Sequence, residues 1–173
     1  MKYKNKNRKI IKNKENIKFV IMDVDGVLTD GSVYVNNKGN EILKFSRIDG
    51  KGIELLQENN ILTGVISQED ASAVKHRMKK LKIDFISLGI KNKIDIYTKW
   101  KKDLNLEDNQ ICVCGDDISD LLILKQAGFS CAPENAISEV KSNVDYVSKF
   151  KGGEGFIRDV CNIILNKKDC ENE

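Results

Sequence analysis

Four short polar segments carry residue types that could do chemistry together. Asp23 and Asp25 flank Val24 and precede Gly26; Ser67 ends an apolar run; Lys93 stands before another; and Gly115-Asp116-Asp117 is followed by Asp120. Two carboxylates crowded at Asp23-x-Asp25 are costly unless a cation neutralises them or they hold different protonation states. Mg2+ is the natural cation, because it takes hard oxygen ligands and is met by few carboxylates plus phosphate. Alone, the segment reads equally as an acidic turn, since Asp and Gly are ordinary turn residues. Together the segments supply carboxylates for a metal, a hydroxyl donor and a lysine. A phosphoryl group needs those parts: cations and donors for its equatorial oxygens, and a group that attacks in line. No serine, cysteine or histidine stands out as an activated nucleophile. An aspartate can serve through an aspartyl-phosphate, with a second aspartate moving the proton. Taken singly, Ser67 reads as a strand-end cap and Lys93 as a solvated lysine.

These residues can meet only if the apolar runs before them are strands of one sheet. Residues 17–22, 61–66 and 111–114 are short apolar runs suited to strands buried on both faces. Residues 83–86, 129–132 and 145–148 read as further strands. Helical spacing of apolar residues predicts helices through Ile53–Leu56, from near Asp70, over about 92–104, through Leu121–Ala127, after Pro133, and near 156–166. Asp49-Gly50-Lys51-Gly52 reads as a turn, with Asp49 capping the helix after it. Trp100 sits at core spacing. Strand and helix alternate, which predicts an α/β fold: a doubly wound, mostly parallel sheet with helices on both faces. Such a sheet gathers its loop residues along one edge. Alternation along the first strand would put Asp23 and Asp25 on one side, although Gly26 suggests that the chain is already turning. Ser32–Val35 and Glu41–Phe45, joined by an Asn/Gly-rich turn, predict a small β-hairpin inserted after the first strand. Its apolar residues have no evident core to enter, so a flap or an oligomer surface is expected.

Composition sets the class. The 173 residues, 40% hydrophobic and 32% charged, suit one globular domain over 17–166 with tails at 1–16 and 167–173. The net charge of +3 hides an asymmetry: residues 1–16 hold seven Lys or Arg against one Glu, so the rest is acidic. That tail reads as a solvated, disordered leader. A nucleic-acid-binding role would rest on it alone and would be salt-sensitive; neither a nucleic-acid nor a membrane partner is expected. No apolar run approaches the roughly 20 residues that span a bilayer, and the basic N-terminus lacks a signal-like apolar stretch. The cytoplasm is the expected location. Five cysteines, at 112, 114, 131, 161 and 170, show no CxxC spacing; Cys112 and Cys114, inside an apolar run, read as small buried hydrophobes, and no zinc or disulfide role is expected. No G-x-x-x-x-G-K-[ST] occurs, so the P-loop route to phosphate is closed.

Asp23-Val24-Asp25-Gly26-Val27, Ser67, Lys93 and Gly115-Asp116-Asp117-Ile118-Ser119-Asp120 resemble the four motifs of the haloacid dehalogenase superfamily, over about residues 17–166. Within it, the Asp30-Gly31 hairpin, Arg47-x-Asp49-Gly50-x-Gly52 and Gly152-Gly153-x-Gly155-x-x-Arg158 resemble the capless phosphatases of 3-deoxy-D-manno-octulosonate 8-phosphate and of nonulosonate 9-phosphates. The resemblance implies Asp23 as nucleophile and Asp25 as general acid and base. It implies Mg2+ on Asp23, the Asp25 backbone carbonyl and Asp116, with phosphate on Ser67 and Lys93 and support from Asp117 and Asp120. It also implies a phosphorylated sugar acid as substrate and a homotetramer whose hairpins pack together. Arg47, Glu69, Lys80 and Arg158 are the candidate substrate contacts.

One segment departs from the pattern. Octulosonate phosphatases usually read Thr-Gly-Arg where this chain reads Ser67-Gln68-Glu69. Serine keeps the hydroxyl donor, but Glu69 puts negative charge where a cation would greet a carboxylate. Nonulosonate phosphatases can carry glutamate there with a lysine further along the same helix, where Lys80 stands; the two would share a face about 16 Å apart. The expected activity is a Mg2+-dependent sugar-acid phosphatase. The rival is a non-catalytic oligomerisation domain of the same fold, such as the one fused to some acylneuraminate cytidylyltransferases, and the complete acidic set argues against it.

Overall fold

The computed structural model describes residues 14–166; the basic leader up to residue 13 and residues 167–173 lie outside the described residues. Six strands form one parallel sheet: β1 (Phe19–Met22), β4 (Leu62–Ile66), β5 (Phe85–Ser87), β6 (Ile111–Cys114), β7 (Phe129–Ala132) and β8 (Tyr146–Val147). Their order is β5-β4-β1-β6-β7-β8. Every ladder of this sheet is parallel, and in the two ladders that β1 makes, Ile21 pairs with Gly64 on one side and Val113 on the other. The chain leaves β1 for β4 and β5 on one flank and then returns to β6, β7 and β8 on the other. Neighbouring strands β1 and β6 therefore diverge in their connections, and such a switch point opens a crevice at the strands' carboxyl ends.

The alternation of side chains along β1 divides the core into two layers. Val20 and Met22 pack with α1 (Arg47–Glu58), α2 (Ser72–Lys80) and α6 (Phe156–Ile164). Phe19 and Ile21 pack with α3 (Lys93–Asp103), α4 (Leu121–Gln126) and α5 (Ser138–Asn143). All four β1 residues are buried, as a central parallel strand requires. Trp100 is core, with its ring 5.8 Å from Phe19 and 5.6 Å from Phe85. Gly64 makes that cluster possible, because a Cβ there would lie 2.7 Å from Phe19 Cζ.

The hairpin of β2 (Thr29–Val35) and β3 (Glu41–Phe45) is a separate antiparallel pair, and its Val33, Tyr34, Val35 and Ile42 are exposed. Three expectations need correction. Asp49-Gly50-Lys51-Gly52 is not a turn but lies inside α1, whose N-cap is Ser46: the Ser46 hydroxyl accepts the Asp49 N–H. The glycines serve close packing instead, since a Cβ at Gly52 would sit 3.0 Å from the Arg158 Cα on α6. Asp49 does cap a helix, but a different one. Its buried carboxylate accepts the Gly155 and Arg158 N–H groups at 3.2 and 3.0 Å, at the start of α6. Finally, α2 begins at Ser72 rather than Asp70. Glu69 is therefore on the loop before it, and shares no helix face with Lys80.

Candidate active site at the carboxyl edge of the sheet

The switch point is where the acidic residues gather. Asp23 is the first residue beyond β1, and its N–H donates to the Cys114 carbonyl at the end of β6 (3.0 Å). The chain then bends at once. Gly26 takes φ +77°, and the buried Thr29 hydroxyl accepts the Gly26 and Gly31 N–H groups while donating to the Val24 carbonyl. Gly26 is required twice over: its φ is left-handed, and a Cβ there would overlap the Asp116 carboxylate. The turn is held from behind by Asn135, whose amide donates to the Gly26 carbonyl at 3.2 Å and accepts the Gly152 N–H at 2.7 Å.

Lys93, the first residue of α3, reaches the same point from the β5 side. Its ammonium lies 2.8 Å from Asp23 Oδ1 and 2.6 Å from Asp120 Oδ1, with the lysine side chain only 2% exposed. Asp120 also accepts the Asp116 and Asp117 N–H groups through its other oxygen. Asp117 turns outward and accepts the Ile118 N–H, capping the short 3-10 turn Ile118–Asp120. Oxygens of Asp23, Asp116 and Asp120 lie within 4.8 Å of one another. Asp120 is thus committed to Lys93 and to the loop. Asp116 Oδ1, by contrast, is buried and has no hydrogen-bond partner among the described residues.

The charge balance of this cluster is unfavourable as it stands. Burial, reinforced by Asp120, lifts the Asp23 carboxyl to about 7 despite the opposing Lys93. Burial, then Asp23, Asp120 and Asp117, lift Asp116 to about 8. Asp25 is raised as well, by burial first and then by Glu69, with Glu41 adding to it. Burial would depress the Lys93 ammonium, but Asp23 and Asp120 outweigh it and hold it above its ordinary value. One lysine among three close carboxylates leaves an anionic excess that a hard divalent cation would offset. The donor set fits Mg2+: hard oxygens gathered at one point, with the buried Asp116 Oδ1 unpartnered among the described residues.

The site opens into a cavity of about 350 Å3 lined by Asp23, Asp25, Lys93, Asp116 and Asp117, together with Gln68 and Glu69. Gly26, Gly31, Ser119 and Asn135 complete the lining. Ser67 is 1% exposed and does not line the cavity; its hydroxyl accepts the Glu69 N–H at 3.1 Å, the strand-end cap that its type suggested. Of the four candidate substrate contacts, Glu69 is in the lining and Arg47, Lys80 and Arg158 are not. Arg158 spends its Nε on Asn162 of its own helix. Sequence reasoning passed over Asn135 and Ser119. Asn135 follows Pro133 at the end of β7, so the rule that strand ends carry the site could have found it; Ser119 lies inside the fourth acidic segment.

This geometry can be set beside known proteins. A profile of haloacid dehalogenase-like hydrolases matches residues 3–158. The chain is 33% identical over 160 residues to a 3-deoxy-D-manno-octulosonate 8-phosphate phosphatase of Yersinia pestis, covering 92% of this chain and 86% of that one. The crystal structure of the Moraxella catarrhalis 3-deoxy-D-manno-octulosonate 8-phosphate phosphatase, in complex with magnesium, phosphate and KDO, is similar with a TM-score of 0.89 at 32% identity, over 93% of this chain and 92% of that one. A cobalt-bound deoxy-D-mannose-octulosonate 8-phosphate phosphatase from Haemophilus influenzae gives 0.86 at 36% identity, over 90% and 91%.

Proposed function

Because the chain belongs to the haloacid dehalogenase-like hydrolase family, we propose that its acidic sheet edge is the active site of a Mg2+-dependent phosphatase. The substrate is the terminal phosphate monoester of an acidic 3-deoxy-2-keto sugar. One observation carries the reading: Asp23 and Asp116 are forced together at the switch point with a single buried lysine as counter-charge. A magnesium ion on Asp23, the Asp25 carbonyl and Asp116 would neutralise charge on the carboxylates and on the phosphoryl oxygens.

In the first half-reaction an Asp23 oxygen attacks phosphorus. The bond to the sugar oxygen breaks, and Asp25 donates its proton to that oxygen. Its raised proton affinity suits an acid that must be protonated when substrate arrives. In the second half-reaction Asp25 takes a proton from water, whose oxygen attacks the phosphorus of the aspartyl-phosphate and frees Asp23 and inorganic phosphate. Lys93 holds the Asp23 carboxylate in one orientation and adds positive charge beside the transferring group. Ser67 supplies a phosphoryl donor through its O–H, which stays free to donate while the hydroxyl oxygen accepts the Glu69 N–H. Asp120 fixes Lys93 and the Asp116 loop, and Asp117 caps the turn behind them.

The sugar is the finer question. Glu69 stands in the cavity wall where a cation would favour a bare carboxylate, which supports a nonulosonate 9-phosphate beside the octulosonate 8-phosphate of the relatives. Arg47, Lys80 and Arg158 act as substrate contacts only across subunits, in a homotetramer. The exposed apolar hairpin supports that assembly. Among the described residues no helix is long and apolar enough to cross a membrane, in keeping with a cytoplasmic enzyme. The test is phosphate release from the two sugar phosphates side by side with Mg2+, using Asp23→Asn as control. Turnover is expected to fall by on the order of 10^4-fold or more in that variant, with the fold intact. Wild-type-like turnover in Asp23→Asn, or no release from either ester, would refute the reading.

A further inference from the structure

Directly beneath the catalytic edge, on the α1/α6 face of the sheet, the chain places three thiols together. Cys112 and Cys114 both belong to β6, and Cys131 on β7 is in register with Cys114. Their sulfurs all lie within 4.8 Å of one another, and those of Cys112 and Cys131 are 4.0 Å apart. Strand geometry does not produce this by default. Residues two apart along a strand are separated by roughly 6.6 Å, so Cys112 and Cys114 have to lean towards each other along β6. A separation of 4.0 Å is about twice a disulfide bond length, and all three are free thiols. Each is essentially inaccessible, at 0–1% exposure.

That spacing has a metal-site meaning. Metal–thiolate bonds are about 2.3 Å long, which puts the sulfurs of a planar three-coordinate site about 4.0 Å apart. We propose that Cys112, Cys114 and Cys131 form a three-coordinate site for a soft divalent metal ion of the zinc or cadmium type. Soft thiolates select such ions, whereas the carboxylates above select a hard one. The molecule thus sorts two classes of cation onto the two sides of one strand end. Each ligating thiol releases its proton to solvent. Three thiolates around a divalent ion leave a single negative charge, against two for a monovalent ion, and burial favours the smaller charge. Occupancy also bears on catalysis by position, because the Cys114 carbonyl accepts the Asp23 N–H and the Cys131 carbonyl accepts the Gly115 N–H.

The experiment is an anaerobic titration of the reduced, Mg2+-loaded full chain with CdCl2, read by thiolate-to-cadmium charge-transfer absorption in the ultraviolet. Carboxylates give no such band, so Cd2+ entering the acidic site stays silent. The expected result is a band saturating at one Cd2+ per chain, kept in Cys161→Ala and Cys170→Ala and lost in Cys131→Ala and in the near-isosteric Cys112→Val. Circular dichroism identifies a folded variant, and either of the last two suffices if the other fails to fold. No band from the folded protein, a band retained without Cys131 or Cys112, or a band lost with Cys170 would overturn the site.

Discussion

Replacing Asp116 by asparagine should stabilise the metal-free protein while removing its activity. The carboxyl sits at about 8 in the folded chain against 3.8 for the ordinary group, because burial and then Asp23, Asp120 and Asp117 disfavour its charge. Below about pH 4 it is protonated in both states and contributes no difference. Between pH 4 and 8 the unfolded chain gives up this proton and the folded chain keeps it, so folding takes up a proton and stability falls as pH rises. Above 8 the loss is complete. Each pH unit is worth about 1.4 kcal/mol, giving about 5–6 kcal/mol unscreened; water at the cavity mouth screens this to about 2–3 kcal/mol. Asparagine has the same shape and none of this dependence. In EDTA at pH 9, Asp116→Asn should therefore melt above the wild type by roughly 5–10 °C, the shift that 2–3 kcal/mol gives in a chain of this size. At pH 4.5 the gap should nearly close. With saturating Mg2+ the order should reverse, since only the wild type gains the ion's binding energy. Thermal unfolding followed by circular dichroism at the two pH values, with EDTA or Mg2+, decides the matter. A variant less stable than wild type in EDTA at pH 9, or a gap that ignores pH, would refute the reasoning.

Other perturbations separate the parts. Lys93→Met removes the buried ammonium that Asp23 and Asp120 share; a loss of about 3–5 kcal/mol near neutral pH is expected in denaturant titrations, partly relieved at low pH where Asp23 protonates. Asp49→Ala strips the cap from α6 and leaves two N–H groups unpaired, so urea unfolding should show a loss of about 1–3 kcal/mol with the kcat of the remaining folded enzyme little changed. Tyr34→Glu with Ile42→Glu should leave the secondary structure intact and shift the molecular mass measured by light scattering towards the monomer, because both side chains are about 61% exposed on the single chain. An unchanged mass would remove the hairpin from the assembly surface.

The local pattern of this sequence determined a good deal. Runs such as Phe19–Met22 and Ile111–Cys114 are too apolar and too short for anything but buried strands, and their alternation with helical spacing leaves a parallel sheet as the economical arrangement. A parallel sheet then dictates one chemical edge, which is why Asp23, Asp116 and Lys93 could be named together from the chain alone. Tertiary structure decided what spacing cannot express. Asp49 looked like the cap of its own helix, and became the cap of α6 more than a hundred residues away, because two glycines let α1 and α6 approach. Glu69 and Lys80 looked like one helix face, and a start at Ser72 separated them. Asn135 gained its place only through the Gly26 carbonyl and the Gly152 N–H, and Cys131 joined Cys112 and Cys114 only through the register of β6 with β7. Periodicity is a statement about neighbours along the chain. Pairings across strands and between helices depend on which surfaces the folded chain brings into contact, and there this protein set both its counter-charges and its thiols.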